Sequence, residues 1–172
     1  MKNDLIETKE NVGLVITPEQ LLEHWQGHRR ITRRAIEAYP EDKFFTYSIG
    51  GMRPFSELVM EMIVMAVPGL EGVITGKWIS GEETNELFSR RAPGTKAEVL
   101  KLWDETTEKI NELWPQIPPH RFQDVDRAFG LYEGTIFFTV FYWIDNEIHH
   151  RGQGYVYLRS LGIEPPAFWD RN

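Results

Sequence analysis

Apolar positions recur at helical intervals in four separate stretches, and each stretch carries its own start or stop signal. The first opens at Thr17-Pro18-Glu-Gln, with Thr as the N-cap, Pro at the first helical position and an acid in the first turn. Leu21, Leu22, Trp25, His28, Ile31, Thr32, Ala35 and Ile36 continue it, and Tyr39-Pro40 stops it. A loop is predicted over Glu41–Met52, marked by Gly50-Gly51. A second helix then begins near Pro54 and carries Phe55, Leu58, Val59, Met62, Ile63 and Ala66. Pro68 and Gly69 predict a kink or break, because proline removes a helical hydrogen bond and crowds the carbonyl one turn back. The polar stretch Val73–Glu86 reads as loop and short helix.

The third helix starts at Thr95, with Glu98 placed to complete a capping box, and runs through Val99, Leu100, Leu102, Trp103, Ile110 and Leu113 to stop before Pro115. A long connection, Pro115–Gly130, follows; within it Arg121–Asp126 reads as a short strand. The fourth helix spans Thr135–Leu161, with Gly162 as its terminating glycine and Pro165-Pro166 beyond. Four helices with one apolar stripe each bury those stripes best as an all-α four-helix bundle. No repeat or linker divides the 172 residues, so they read as one domain. The long connections argue against an up-down topology with short turns.

Composition narrows the function classes. Hydrophobic residues are 41% and aromatics 13%, which is the content of a folded chain. A net charge of −7 without a basic patch excludes the electrostatic footprint of nucleic-acid binding. With no cysteine, thiolate nucleophiles, disulfides and thiolate metal ligands are excluded, so a metal must be held by His, carboxylate, amide or water. Met1–Glu10 is charged and unlike a secretory signal. The longest apolar runs, Leu58–Val67 and Phe137–Ile144, are the size of core helices and short of the roughly 18 residues of a membrane span. A cytoplasmic protein with no membrane partner is the expectation.

Chemistry concentrates in Trp143-Ile-Asp-Asn-Glu-Ile-His-His-Arg-Gly-Gln153, where imidazoles, carboxylates, an amide and an arginine crowd onto three helical turns. Buried ionisable groups are costly unless paired or bound to a metal. Residues four apart share a face, which pairs Asn146 with His150 and Asp145 with His149. On donor chemistry alone Asp145/His149 is the better ligand pair, since an amide oxygen is a weak ligand for zinc or nickel. Glu61 lies within the apolar run Val59–Ile63 and is expected to face a pocket. His24 and His28, beside Trp25 and Arg29, read as a helix face partly at the surface; His120 reads as a loop residue. Arg151 and Arg159 are expected to form structural salt bridges, with Glu147 as a partner, the alternative being an anionic ligand. Gly152 and Gln153 fit close helix packing with a buried amide hydrogen bond. Tyr132, Phe137, Phe138, Phe141, Tyr142, Trp143, Tyr155 and Tyr157 read mostly as core, the excess lining a cavity or a dimer surface.

The segment His149-His-Arg-Gly-Gln153, with Tyr157-Leu-Arg159 and Leu161-Gly-Ile-Glu-Pro-Pro166, resembles the C-terminal signature of the DinB family of four-helix bundle proteins. Trp25, Arg29–Thr32 and Met52-Arg-Pro-Phe-Ser-Glu-Leu58 support the resemblance, which covers nearly the whole chain. It implies a divalent metal, nickel or zinc, on three histidines: one on the second helix, and two spaced four apart on the last, ahead of Arg-Gly-Gln. Carried onto this chain, those positions are Glu61, Asn146 and His150, so two of the three are not histidine. Such a set implies either a weakened site for a harder ion such as manganese, or a metal-free cluster in which Glu61 hydrogen-bonds His150. Asp145 and His149 are then candidates for the surrounding shell. The resemblance further implies either a metal-dependent hydrolase or thiol S-transferase, or a non-catalytic, stress-related homodimer binding a small molecule.

Overall fold

The computed structural model describes residues 15–172, and the charged N-terminal run lies outside them. Helix α1, Pro18–Ala38, is closed by a capping box in which the Gln20 backbone N–H donates to Thr17 Oγ1 (3.2 Å) and Thr17 N–H donates to Gln20 Oε1 (2.9 Å). A one-turn-and-a-half helix, α2 (Glu41–Thr46), occupies part of the predicted loop and buries Phe44. Helix α3 runs unbroken from Phe55 to Thr75 and ends on Gly76 in the left-handed region. Of the kink or break expected at Pro68, the break does not occur: Leu70, Gly72 and Val73 are buried beyond it, and that packing holds the helix across the missing hydrogen bond.

Helix α4, Gly81–Phe88, carries a Ser80–Glu83 capping box, and α5, Lys96–Leu113, carries the predicted Thr95–Glu98 box. Two short 3₁₀ turns follow, at Trp114–Gln116 and Pro119–Gln123. The predicted strand lies slightly later than expected: β1 (Val125–Ala128) pairs antiparallel with β2 (Tyr132–Thr135), Val125 opposite Thr135 and Ala128 opposite Tyr132. Thr135 then caps α6, Ile136–Ser160, and Gly162 stands just past its end at φ +76°.

Helices α1 and α3 each pack against both α5 and α6. The four long helices therefore form a bundle in which α1 and α3 sit at opposite corners, as do α5 and α6. Because α1→α3 and α5→α6 both cross a diagonal, short turns cannot join them, which accounts for the long connections. Helix α3 is long and apolar enough to cross a membrane, yet most of that apolar window is buried inside the bundle as its core helix.

Two apolar clusters form the core. One gathers Trp25, Leu70, Ile110, Trp143 and Ile144; the other gathers Tyr39, Phe55, Val59, Trp103 and Tyr157. Close helix packing falls on Gly154, where a Cβ would collide with the Phe55 ring, and not on the exposed Gly152, around which there is open space.

Candidate functional site

Since α3 and α6 are neighbours, Glu61 meets the last helix directly. His150 Nε2 lies 3.0 Å from Glu61 Oε1, and Asn146 Nδ2 donates to the same oxygen at 3.4 Å. Arg53, just before α3, donates from Nη2 to Glu61 Oε2 at 2.6 Å. On its far side His150 Nδ1 stands 3.0 Å from Gln153 Oε1, and the Gln153 amide reaches Met52 Sδ at 3.6 Å. The amide of Gln153 thus serves the histidine and not a helix contact. The His150 contact first, then Arg53, holds the Glu61 carboxyl down at about 2, against the usual 4.5, with partial burial opposing.

The structure brings Glu61, Asn146 and His150 together. Asp145 and His149 are exposed and make no hydrogen bond to the cluster, although the His149 ring centroid is 5.2 Å from that of His150. The pair favoured by donor chemistry is therefore not the one that meets Glu61.

Glu61 and Arg53 form the charged corner of a cavity of about 720 Å³. Met65 and Trp143 come from the bundle, Phe138 and Tyr142 from the outer face of α6, and Phe129, Leu131 and Tyr132 from the hairpin. Phe129 sits at φ +54°, an uncommon conformation for a bulky residue. Its burial against Trp78, ring centroids 5.4 Å apart, holds it there. Tyr132, Phe138 and Tyr142, read from sequence mostly as core, are 67%, 68% and 55% exposed at the cavity mouth.

A resident transition-metal ion does not fit this donor set. The spacing is suitable, but the one carboxylate already carries a guanidinium, and its partners are an amide and a single imidazole. A divalent ion would meet no net negative charge there. Among the described residues no three His, Asp or Glu side chains are grouped to hold a metal.

A second polar assembly, absent from the sequence expectations, lies between the two apolar clusters. Glu147, almost wholly buried, accepts from Thr32 Oγ1 (2.8 Å) and Trp25 Nε1 (3.3 Å), with Arg29 Nη1 at 3.8 Å. Arg29 lies over the Trp103 ring at 3.8 Å and donates to Thr107 Oγ1 and the Trp103 carbonyl. Arg151 donates to Thr32 Oγ1, the His28 carbonyl and His28 Nδ1. The cation at ion-pair distance from Glu147 is therefore Arg29 and not Arg151, while Arg159 pairs with the exposed Glu164. His28 and Arg29 are core residues, not part of a surface face. A signal for this is present: Leu21, Trp25, His28, Thr32, Ala35 and Val140, Ile144, Glu147, Arg151, Gly154, Leu158 follow alternating steps of four and three, which mark a buried seam.

An arginine only donates, so the Arg151 contact fixes His28 Nδ1 as an acceptor and places the ring's proton on Nε2. Burial first, then Arg151, Arg171 and His24, lowers the His28 pKa from 6.5 to about 3. Below pH 6.5 the unfolded chain takes up a proton that the folded chain refuses. This contribution to stability is therefore complete above pH 6.5 and is lost as pH falls toward 3. His24, depressed by burial and then by Arg171, acts in the same direction. Urea denaturation at pH 7 and pH 5 is expected to show a loss of about 2 kcal/mol at the lower pH. His28→Asn, which keeps an acceptor toward Arg151, should remove most of it. A slope unchanged in the variant would refute the assignment.

Residues 7–171 match the sequence model of the DinB family. No functionally curated protein matches the chain. Among solved structures, a DinB-like protein from Bacillus cereus ATCC 10987 superposes with a TM-score of 0.67 at 15% identity, over 87% of this chain and 95% of that one. A DinB-like protein from Bacillus subtilis gives 0.66 at 21% identity, over 87% and 97%. A mycothiol-dependent maleylpyruvate isomerase, in the form of a point mutant, gives 0.66 at 14% identity, over 81% and 61%. With nearly its whole length matched by the family model and its bundle shared with two DinB-like proteins, this chain belongs to the DinB family.

Proposed function

We propose that this chain binds a small, largely apolar molecule in the cavity beside Glu61, and that a metal-independent polar cluster stands where the family commonly holds an ion. The observation that carries the reading is the complete engagement of Glu61: His150, Asn146 and Arg53 occupy both of its oxygens at the edge of a 720 Å³ cavity. A carboxylate so neutralised needs no cation, and a cavity of this size with aromatic walls suits a small ligand. The exposed aromatics at the mouth support the homodimer expected from the sequence, and a cytoplasmic location is part of the same proposal.

A metal-dependent hydrolase or thiol S-transferase is the second reading. The 3.0 and 3.4 Å approaches around Glu61 Oε1 favour it, since ligands of one ion converge in this way. The fold shared with a mycothiol-dependent isomerase is consistent with it. Thermal denaturation separates the two. With chelator, and with added nickel, zinc or manganese, the midpoint is expected to stay constant. A rise of several degrees with any of these ions, lost in His150→Ala, would favour the enzyme reading.

A further inference from the structure

Arg53, on the cavity wall, keeps hydrogen-bond donors that the protein does not use. Arg53 gives one N–H to Glu61, and its Nε and Nη1 have no partner among the described residues, with the side chain half exposed. The hydroxyls of Tyr142 and Tyr132 likewise have no hydrogen-bond partner among the described residues, and both line the cavity. Of the two carboxylates on the wall, Glu61 receives three donors, and Glu133 is paired through Oε2 with Arg127 at 3.1 Å, its Oε1 having no partner among the described residues. A ligand whose polar end brings acceptors meets a guanidinium with free edges, the only wall cation among the described residues. Phe138, Tyr142 and Trp143 supply an aromatic stretch of the remaining wall.

We propose that the cavity takes an apolar monocarboxylate, its anionic end on Arg53 and its body against Phe138, Tyr142 and Trp143. This rests on the ligand-pocket reading above. Carboxylate matches guanidinium in shape and charge, and such charge-assisted bonds are about twice as strong as neutral ones. An alcohol of the same length would bring the apolar body without the charge. An alkylammonium would face the like-charged Arg53, with Glu61 beside it already paired.

Octanoate, octanol and octylammonium, titrated calorimetrically into the wild-type protein and Arg53→Gln, test the assignment. Octanoate is expected to bind at least about tenfold more tightly than octanol, with octylammonium weakest. In Arg53→Gln the advantage of octanoate over octanol should disappear, while octanol still binds and so reports an intact cavity. Equal affinity for octanoate and octanol, a gap that survives Arg53→Gln, or a preference for octylammonium would overturn the carboxylate assignment and leave the ligand-pocket reading standing. Failure of all three to bind would overturn both.

Discussion

Replacing Glu61 and Asn146 together by histidine is expected to give the chain a zinc and nickel site at least about a hundredfold tighter than any in the wild type. The scaffold is already suited to it: α3 and α6 bring the three positions to a common point, with Nε2 of His150 3.0 Å from Glu61 and Asn146 3.4 Å from the same oxygen. What the wild type lacks is donor chemistry. Three imidazoles would restore it, and the substitution also removes the carboxylate that holds Arg53 over the site. Arg53 is half exposed and free to turn outward once unpaired. Competition with a chromogenic zinc indicator reads the result. Equal zinc affinity in both proteins would show that Glu61 and Asn146 are adequate ligands.

The second large effect is on stability. Arg29→Ala is expected to cost about 3–5 kcal/mol in urea denaturation, because it removes a fully buried cation and leaves Glu147 without one at ion-pair distance. The loss also includes the guanidinium stacked on Trp103 and its bonds to Thr107 and the Trp103 carbonyl. Glu147, whose carboxyl burial pushes upward against the pull of Arg29, would be left as a costly buried acid. Adding Glu147→Gln should therefore recover part of the loss. Arg159→Ala, which breaks only the exposed pair with Glu164, is expected to cost less than about 1 kcal/mol. Similar losses in Arg29→Ala and Arg159→Ala would remove the buried pair from the description of the core.

The bundle is legible in the sequence because its helix ends are local chemistry. Thr17, Thr95 and Thr135 cap through their own side chains, and Gly162 ends the last helix, so short-range rules suffice. The helix does not break at Pro68 because the packing of Leu70 and Val73 outweighs one lost hydrogen bond, and that packing is non-local. In the site, the motif before Arg151 points to His150 and, through it, to Asn146 and Glu61. Which groups close around Glu61 depends on Arg53 lying eight residues ahead and folding back from the start of α3, which no spacing rule reveals. Of the Arg29–Glu147 assembly, Trp25, Thr32 and Glu147 follow the four-three seam, and Arg29 stands one position beside it. It escapes notice because charged residues suggest a surface unless their stripe is followed across them. The cavity is hidden for another reason: its walls combine α3, α6 and a hairpin whose Phe129 adopts a left-handed backbone.

Elemental analysis decides whether the Glu61–Asn146–His150 cluster holds a metal ion. Protein purified without a histidine tag, incubated with zinc, nickel or manganese and then desalted, should carry well under one ion per chain, with no difference between wild type and His150→Ala. One ion per chain in the wild type, lost in His150→Ala or Glu61→Ala, would contradict the metal-independent reading and place this protein among the metal-dependent members of the family.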